Sequence, residues 1–220
     1  MTIIQKFVKN IRVWMGKPPR SEQRIIIIGR ENQKRIIDSF PSDLVRRIKN
    51  FSQSVPRNKA STDELIGMLY KLTDEVQEVV GKHAACRKGC SHCCHISVPI
   101  CDIEAEFIAR HTGRGLRKVR SNGPRPIDSF SMETPCNLLD TDGTCSVYKS
   151  RPFTCRIYHN LDADNWLCLE PNWNTKHRPM YGLQPLHDAY NAIMERKSKL
   201  HADVRDFFPP KVSSNDITQQ

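Results

Sequence analysis

At 220 residues, with 38% hydrophobic and 26% charged positions, the chain has the size of one domain, or of one domain with an appendage, and the composition of a globular protein. Its longest apolar run, Ile25 to Ile28, is far short of the roughly 20 residues that span a bilayer, and the opening MTIIQKFVKN is not expected to act as a secretory signal. The net charge of +10 is concentrated: residues 1–60 hold fourteen Lys and Arg against four Asp and Glu, while the other 160 residues hold twenty of each.

This pattern reads as a basic N-terminal segment, 1–60, a neutral body, 61–208, and a tail, 209–220, whose polar stretch from Ser213 is expected to be disordered. In the first part, Ile3, Ile4, Phe7, Val8, Ile11, Trp14 and Met15 recur at helical spacing and predict a basic amphipathic helix over 3–15. Gly16 and Pro18-Pro19 end it. Its apolar face docks on its own domain or lies on a membrane surface. The β-branched run Ile25 to Ile28 reads as a short strand, and a helix is expected near 42–51.

Ser61 and Glu64 form a capping box. Behind it, Leu65, Met68, Leu69, Leu72, Val76, Val79 and Val80 line one face of a helix to about residue 82. Cys101 and Glu104 fall at the same two positions of a helix over 102–111, so Cys101 is read as a helix-start residue and not as a metal ligand. A Gly- and Pro-containing loop, 112–130, carries Arg114, Arg117, Lys118, Arg120 and Arg125. After it, CNLLDTDGTCSVY predicts a hairpin around an Asp-Gly turn. A last helix is expected over 185–207, with Tyr190, Ile193, Met194, Val204 and Phe207 buried, and Pro209-Pro210 stop it. The fold class is therefore mainly α, with an irregular cysteine-rich metal-binding core and a short β-hairpin.

All nine cysteines lie between residues 86 and 168. In a reducing cytoplasm, where the chain is expected to reside, clustered thiols are metal ligands or redox groups more often than disulfides. The first cluster is CRKGCSHCC, with Gly89 supplying backbone freedom; Cys136, Cys145 and Cys155 form the second, and Cys168 follows. Thiolate sulfur is the ligand of zinc and of iron–sulfur clusters. Four thiolates around zinc, or around an oxidised [4Fe–4S] core, leave a net charge of −2, which calls for amide donors and nearby cations. Arg87, Lys88, Arg151 and Arg156 are placed to serve. Cys93 and Cys94 point to opposite faces if extended, so they need a kinked loop or serve different centres. With so many thiols present, His92 and His95 are read as neighbours of the centre and not as its ligands.

The string C-RKG-C-SH-CC, followed by GTCSVYKSRPFTCR, resembles the YkgJ-like cysteine-cluster family, the CxxCxxCC domain, over roughly residues 86–168. That resemblance implies a zinc- or iron-chelating domain, some relatives of which are protein methylases thought to carry an iron–sulfur cluster. It implies Cys86, Cys90, Cys93, Cys94, Cys136, Cys145 and Cys155 as ligands, with Cys168 an eighth; Cys101 matches no family cysteine. Tyr148 is read as a packed ring, Pro152 as a rigid turn, and Arg151 and Arg156 as counterions to thiolate or grips for an anionic substrate.

The leading expectation is a cytoplasmic metal-cluster protein, with an iron–sulfur centre, [4Fe–4S] by preference, ahead of zinc, that acts in redox chemistry or on a protein or small-molecule substrate. The chain has no GxGxxG or GxxxxGK[ST] loop. The Cx3Cx2C spacing of Cys86, Cys90 and Cys93 is not read as a radical-enzyme signature, because the sequence lacks the strand–helix alternation of a barrel. The alternatives are a non-enzymatic zinc module that contacts nucleic acid or protein through residues 1–60 and the 114–125 loop, and a thiol-exchange protein.

Overall fold

A computed structural model describes residues 21–87, 89–119, 134–169, 172, 178–198 and 200–210. The helix expected over 3–15, Lys88, Arg120, Arg125 and the tail from Ser213 lie outside the described residues. Among the described residues, no helix is long and apolar enough to cross a membrane.

Helix α1 spans Glu22–Ser39, and the Ser21 hydroxyl caps it by accepting from the Arg24 amide at 3.3 Å. The strand expected at Ile25 to Ile28 is part of this helix. Only the positions on one helical face, Ile25, Gly29 and Ile36, are buried, while Ile27 and Ile37 are more than half exposed. The cap and the helical period override the strand preference of the four isoleucines.

Helix α2, Ser42–Ser54, buries Leu44 and Ile48 and runs into a 3-10 turn, Val55–Arg57. Helix α3, Thr62–Val80, opens on the predicted capping box with both halves formed: Ser61 Oγ accepts from the Glu64 amide and the Glu64 carboxylate accepts from the Ser61 amide. It buries Leu65, Ile66, Leu69, Tyr70, Leu72, Val76, Val79 and Val80. Helices α4 (Asp102–Thr112), α5 (Phe153–Ile157) and α6 (Gln184–Met194) pack around it, as do α1 and α2. With that many helices against it, α3 is the centre of the single hydrophobic cluster.

Strand β1, Pro99–Cys101, pairs antiparallel with β2, His201–Asp203, with Ile100 opposite Ala202. The sheet thus joins segments a hundred residues apart. The predicted hairpin is present as a tight turn: Asp140 donates to the Thr144 carbonyl at 2.7 Å, Gly143 takes φ 81°, and one bridge forms between Leu139 and Cys145.

The helix expected over 185–207 is broken into α6, β2 and a short α7, Val204–Phe207. Asp203 is the reason. Its carboxylate accepts from the Arg205 amide at 2.9 Å, which starts a new helix, and from the Val98 amide at 2.7 Å, which locks β2 beside β1. Ile193, Met194, Val204 and Phe207 are still buried, because apolar spacing survives a break that only the Asp203 contacts reveal.

Residues 22–57 pack against the rest of the described chain. Gly29 lets α1 approach Pro179 so closely that a Cβ there would sit 2.4 Å from the Pro179 Cβ. Asn32 donates to the Leu161 carbonyl at 2.9 Å, and the Leu161 amide donates to the Pro179 carbonyl at 2.9 Å. Through these contacts α1 holds the segment that begins at Arg178, beside the cysteines.

Candidate metal centre

Five pieces of chain bring the cysteines in. The α3 exit delivers Cys86, anchored where Ala85 donates to the Asn160 carbonyl at 2.7 Å. Gly89, with φ 82°, turns the chain toward Cys90. A 3-10 turn, His92–His95, carries Cys93 and Cys94, so the chain is kinked there and not extended. The tight turn supplies Cys136 and Cys145, tied to the first cluster by a Cys136 amide bond to the Cys94 carbonyl at 2.7 Å. Cys155 comes from α5, with Pro152 as its N-cap residue, and Cys168 ends the 3-10 turn Asn165–Cys168.

The thiols fall into two overlapping groups by electrostatic reach. Burial raises Cys155 well above the ordinary thiol range, and Cys93, Cys136 and Cys145 add to the rise. Burial also raises Cys86, and Cys93 and Cys90 contribute. Cys168 is pushed up to about 11, by burial first, with Cys86 and Cys90 again contributing. So Cys93, Cys136, Cys145 and Cys155 form one group and Cys86, Cys90 and Cys168 the other, with Cys93 in reach of both. Cys93 itself is raised well above the ordinary range by its contact with the Cys94 thiol and by burial. Among the described residues, no three His, Cys, Asp or Glu side chains form a group that could hold an ion. Closing on an ion would require the sulfurs to draw together.

The groups around the sulfurs fit a thiolate centre. The backbone at Asn160, Leu138 and Val147 opposes the burial-driven rise of Cys86, Cys136 and Cys145 in turn. In the last two pairs it is the backbone two residues on that does so. Asn160 Nδ2 donates to Cys168 Sγ at 3.4 Å. Cations add to this: Arg87 lowers Cys86, Arg151 lowers Cys145, Arg205 lowers Cys136, and Arg178 lowers both Cys93 and Cys168. Such donors and charges stabilise the anionic sulfur that a metal requires.

Of the residues singled out from sequence, Arg87 bonds the Ala84 and Cys86 carbonyls. Arg151 is buried, stacks over the Tyr148 ring at 4.2 Å and donates to the Tyr148 carbonyl at 2.7 Å. Tyr148 is 56% exposed, so its ring is a lid on Arg151 more than a core residue. Arg156 is fully buried; its guanidinium lies 3.9 Å from the Tyr70 ring and bonds Asp74 and the Arg151 carbonyl. His92 faces Asn165 at 3.2 Å and lines a small cleft with Cys93, Ile96, Tyr158, Cys168 and Arg178. Cys101 is the buried N-cap residue of α4 and makes no side-chain cap bond; burial pushes its thiol up to about 12.

Sequence reasoning missed Arg178, Arg205 and Asn160. Arg178 bonds the Tyr158 hydroxyl and donates to the Leu167 carbonyl at 2.5 Å, while Arg205 donates to the Cys94 carbonyl at 2.9 Å and pairs with Asp203 at 3.0 Å. Arg178 stands ten residues after the last cysteine and Arg205 far from all of them, so neither carries a local signal.

His159, 4% exposed, lies on the segment between α5 and Cys168. Burial lowers its pKa from 6.5 to about 4. The unfolded chain therefore binds a proton that the folded one refuses between those values. Stability from this residue is complete above pH 6.5 and is expected to fall by about 1.4 kcal/mol per pH unit down to about 4. Urea unfolding of wild type and H159N across that window checks this; equal slopes would refute it.

Clustered cysteines with an amide donor at sulfur and arginines around them define a metal-chelating cysteine domain. Residues 85–176, under half of the chain, match the CxxCxxCC family model, described as "Putative zinc- or iron-chelating domain". No curated protein and no solved structure matches the chain.

Proposed function

We propose that the cysteines Cys86, Cys90, Cys93, Cys94, Cys136, Cys145, Cys155 and Cys168 supply the thiolates of a metal centre, an iron–sulfur cluster, [4Fe–4S] with four of them as ligands, in preference to zinc, in a redox or protein-modifying role. The observation that carries this reading is the match of residues 85–176, which hold all eight of these cysteines, to a family described as a zinc- or iron-chelating domain.

When bound, an iron–sulfur core supplies one-electron transfer at a potential set by net charge, hydrogen bonds to sulfur and solvent access. The chain's own contribution is to favour thiolate through the backbone at Leu138, Val147 and Asn160 and to balance charge with Arg87, Arg151, Arg178 and Arg205. Because burial holds Cys136 and Cys168 near 11, metal uptake releases protons and weakens as pH falls.

Anaerobic purification, with iron, sulfide and zinc determined beside a visible spectrum, tests the reading. Stoichiometric iron and sulfide with absorption that bleaches on reduction is the expected result. Stoichiometric zinc and no colour would replace the cluster with a structural zinc site. Neither metal would overturn both.

A further inference from the structure

Outside the thiol groups, one carboxylate sits where four helices meet. Glu104 on α4 is 0% exposed. Its Oε1 accepts from the Tyr70 hydroxyl of α3 at 2.8 Å and from the Phe153 amide of α5 at 2.7 Å, and its Oε2 accepts from the Tyr190 hydroxyl of α6 at 2.8 Å. The Phe153 ring stacks on Tyr190, 4.6 Å between centroids and 11° between planes. Burial raises the Glu104 pKa and the three donors oppose the rise. A leucine or methionine would fill the same space without burying a charge, so the carboxylate must be accounted for by what it holds.

What it holds is the start of α5. That helix has five residues, too few to be stable alone, and its N-cap residue, Pro152, offers no side-chain acceptor to the first amides. Glu104 supplies that acceptor from another element. Two residues after Phe153 comes Cys155, whose thiol is pushed up by burial, with Cys93, Cys136 and Cys145 adding to the rise. On the other flank, Arg156 is clamped by Tyr70 and Asp74.

We propose that Glu104 is a positioning residue that fixes α5 and thereby sets the bearing of the Cys155 sulfur toward the other thiols. Its value for a metal centre rests on the reading given above; its hold on Cys155 does not.

The test is position-resolved alkylation of the reduced, metal-free, full-length protein with iodoacetamide, read by peptide mass spectrometry. E104Q has one acceptor oxygen where three donors converge. It is expected to speed Cys155 alkylation about tenfold while Cys86 and Cys168, on the other side, keep their wild-type rates. E104D, which keeps the charge, is expected to restore part of the protection and is read in the same way if E104Q does not fold. In metal-loaded protein, E104Q is expected to lose roughly 10–100-fold in affinity against a competing chelator, the usual cost of losing a support behind a ligand. Cys155 at its wild-type rate in folded E104Q, or in E104D where E104Q does not fold, would overturn the proposal. So would a rise shared by every cysteine, Cys101 included, because that is general loosening. Selective exposure of Cys155 in a protein that takes up no metal would uphold the positioning and overturn the metal reading.

Discussion

Removing the metal by anaerobic chelation is expected to lower the thermal midpoint by about 10–15 °C. The cysteines have no disulfide among them, and the region from Cys86 to His95 and the turn at Cys136–Cys145 bury, among the described residues, only Leu138 and are held mainly by hydrogen bonds, Arg205 to the Cys94 carbonyl among them. Structural zinc contributes roughly 10–16 kcal/mol to peptides that have no other core. Here the helices around α3 bury their own cluster, and about a third of that contribution is assigned to the metal. At roughly 2–4 °C per kcal/mol for a chain of this size, the shift follows. Circular dichroism melts before and after chelation measure it. Hydrogen exchange should show protection lost over 86–95 and 136–145 and retained in α3 and α6. An unchanged midpoint after complete metal loss would refute the expectation.

Arg156→Ala is expected to cost about 3 kcal/mol, more than any surface change. The guanidinium is wholly buried, lies over the Tyr70 ring, pairs with Asp74, and bonds the carbonyls of Lys149 and Arg151. Deleting it strands those two carbonyls, at roughly 1–3 kcal/mol each. Arg156→Lys should recover less than half of the loss, because one ammonium cannot reproduce the forked contacts of guanidinium. Urea unfolding provides the numbers, and a loss under about 1 kcal/mol for the alanine variant would contradict this account. Asp74→Asn, at a half-exposed position, should cost far less.

The helices were legible where a local signal and the apolar spacing agreed. Ser61 and Glu64 announced α3, and the cysteine spacing announced the chelating domain. Reading failed where distant contacts decide. Ile25 to Ile28 have strand-forming side chains, yet the Ser21 cap and the fit of Gly29 against Pro179 make them helical. Asp203, the N-cap of α7, is the one local mark of the break between α6 and α7, while β2 exists only through its pairing with β1. Glu104 occupies a capping position, but its side chain turns inward to two tyrosines that lie 34 residues before and 86 after it. Arg178 and Arg205 reach the thiols only through the fold, so the cysteine pattern pointed to a centre without naming the charges that surround it.

The pairing of β1 with β2 has a consequence for synthesis. Cys86 leaves the ribosome about 120 residues ahead of Asp203 and Arg205, the residues that lock the strand pair and hold the Cys94 carbonyl. At roughly 5–20 residues per second, the first four thiols wait about 6–24 s before those contacts can form. Helices α1 to α3 wait in that interval for α5 and α6, which pack on them, and the cysteines cannot be enclosed. The nascent thiols are thus open to oxidants and to stray ions until the last strand has emerged. A correct metal is therefore best delivered after translation, to a chain already closed by its last strand.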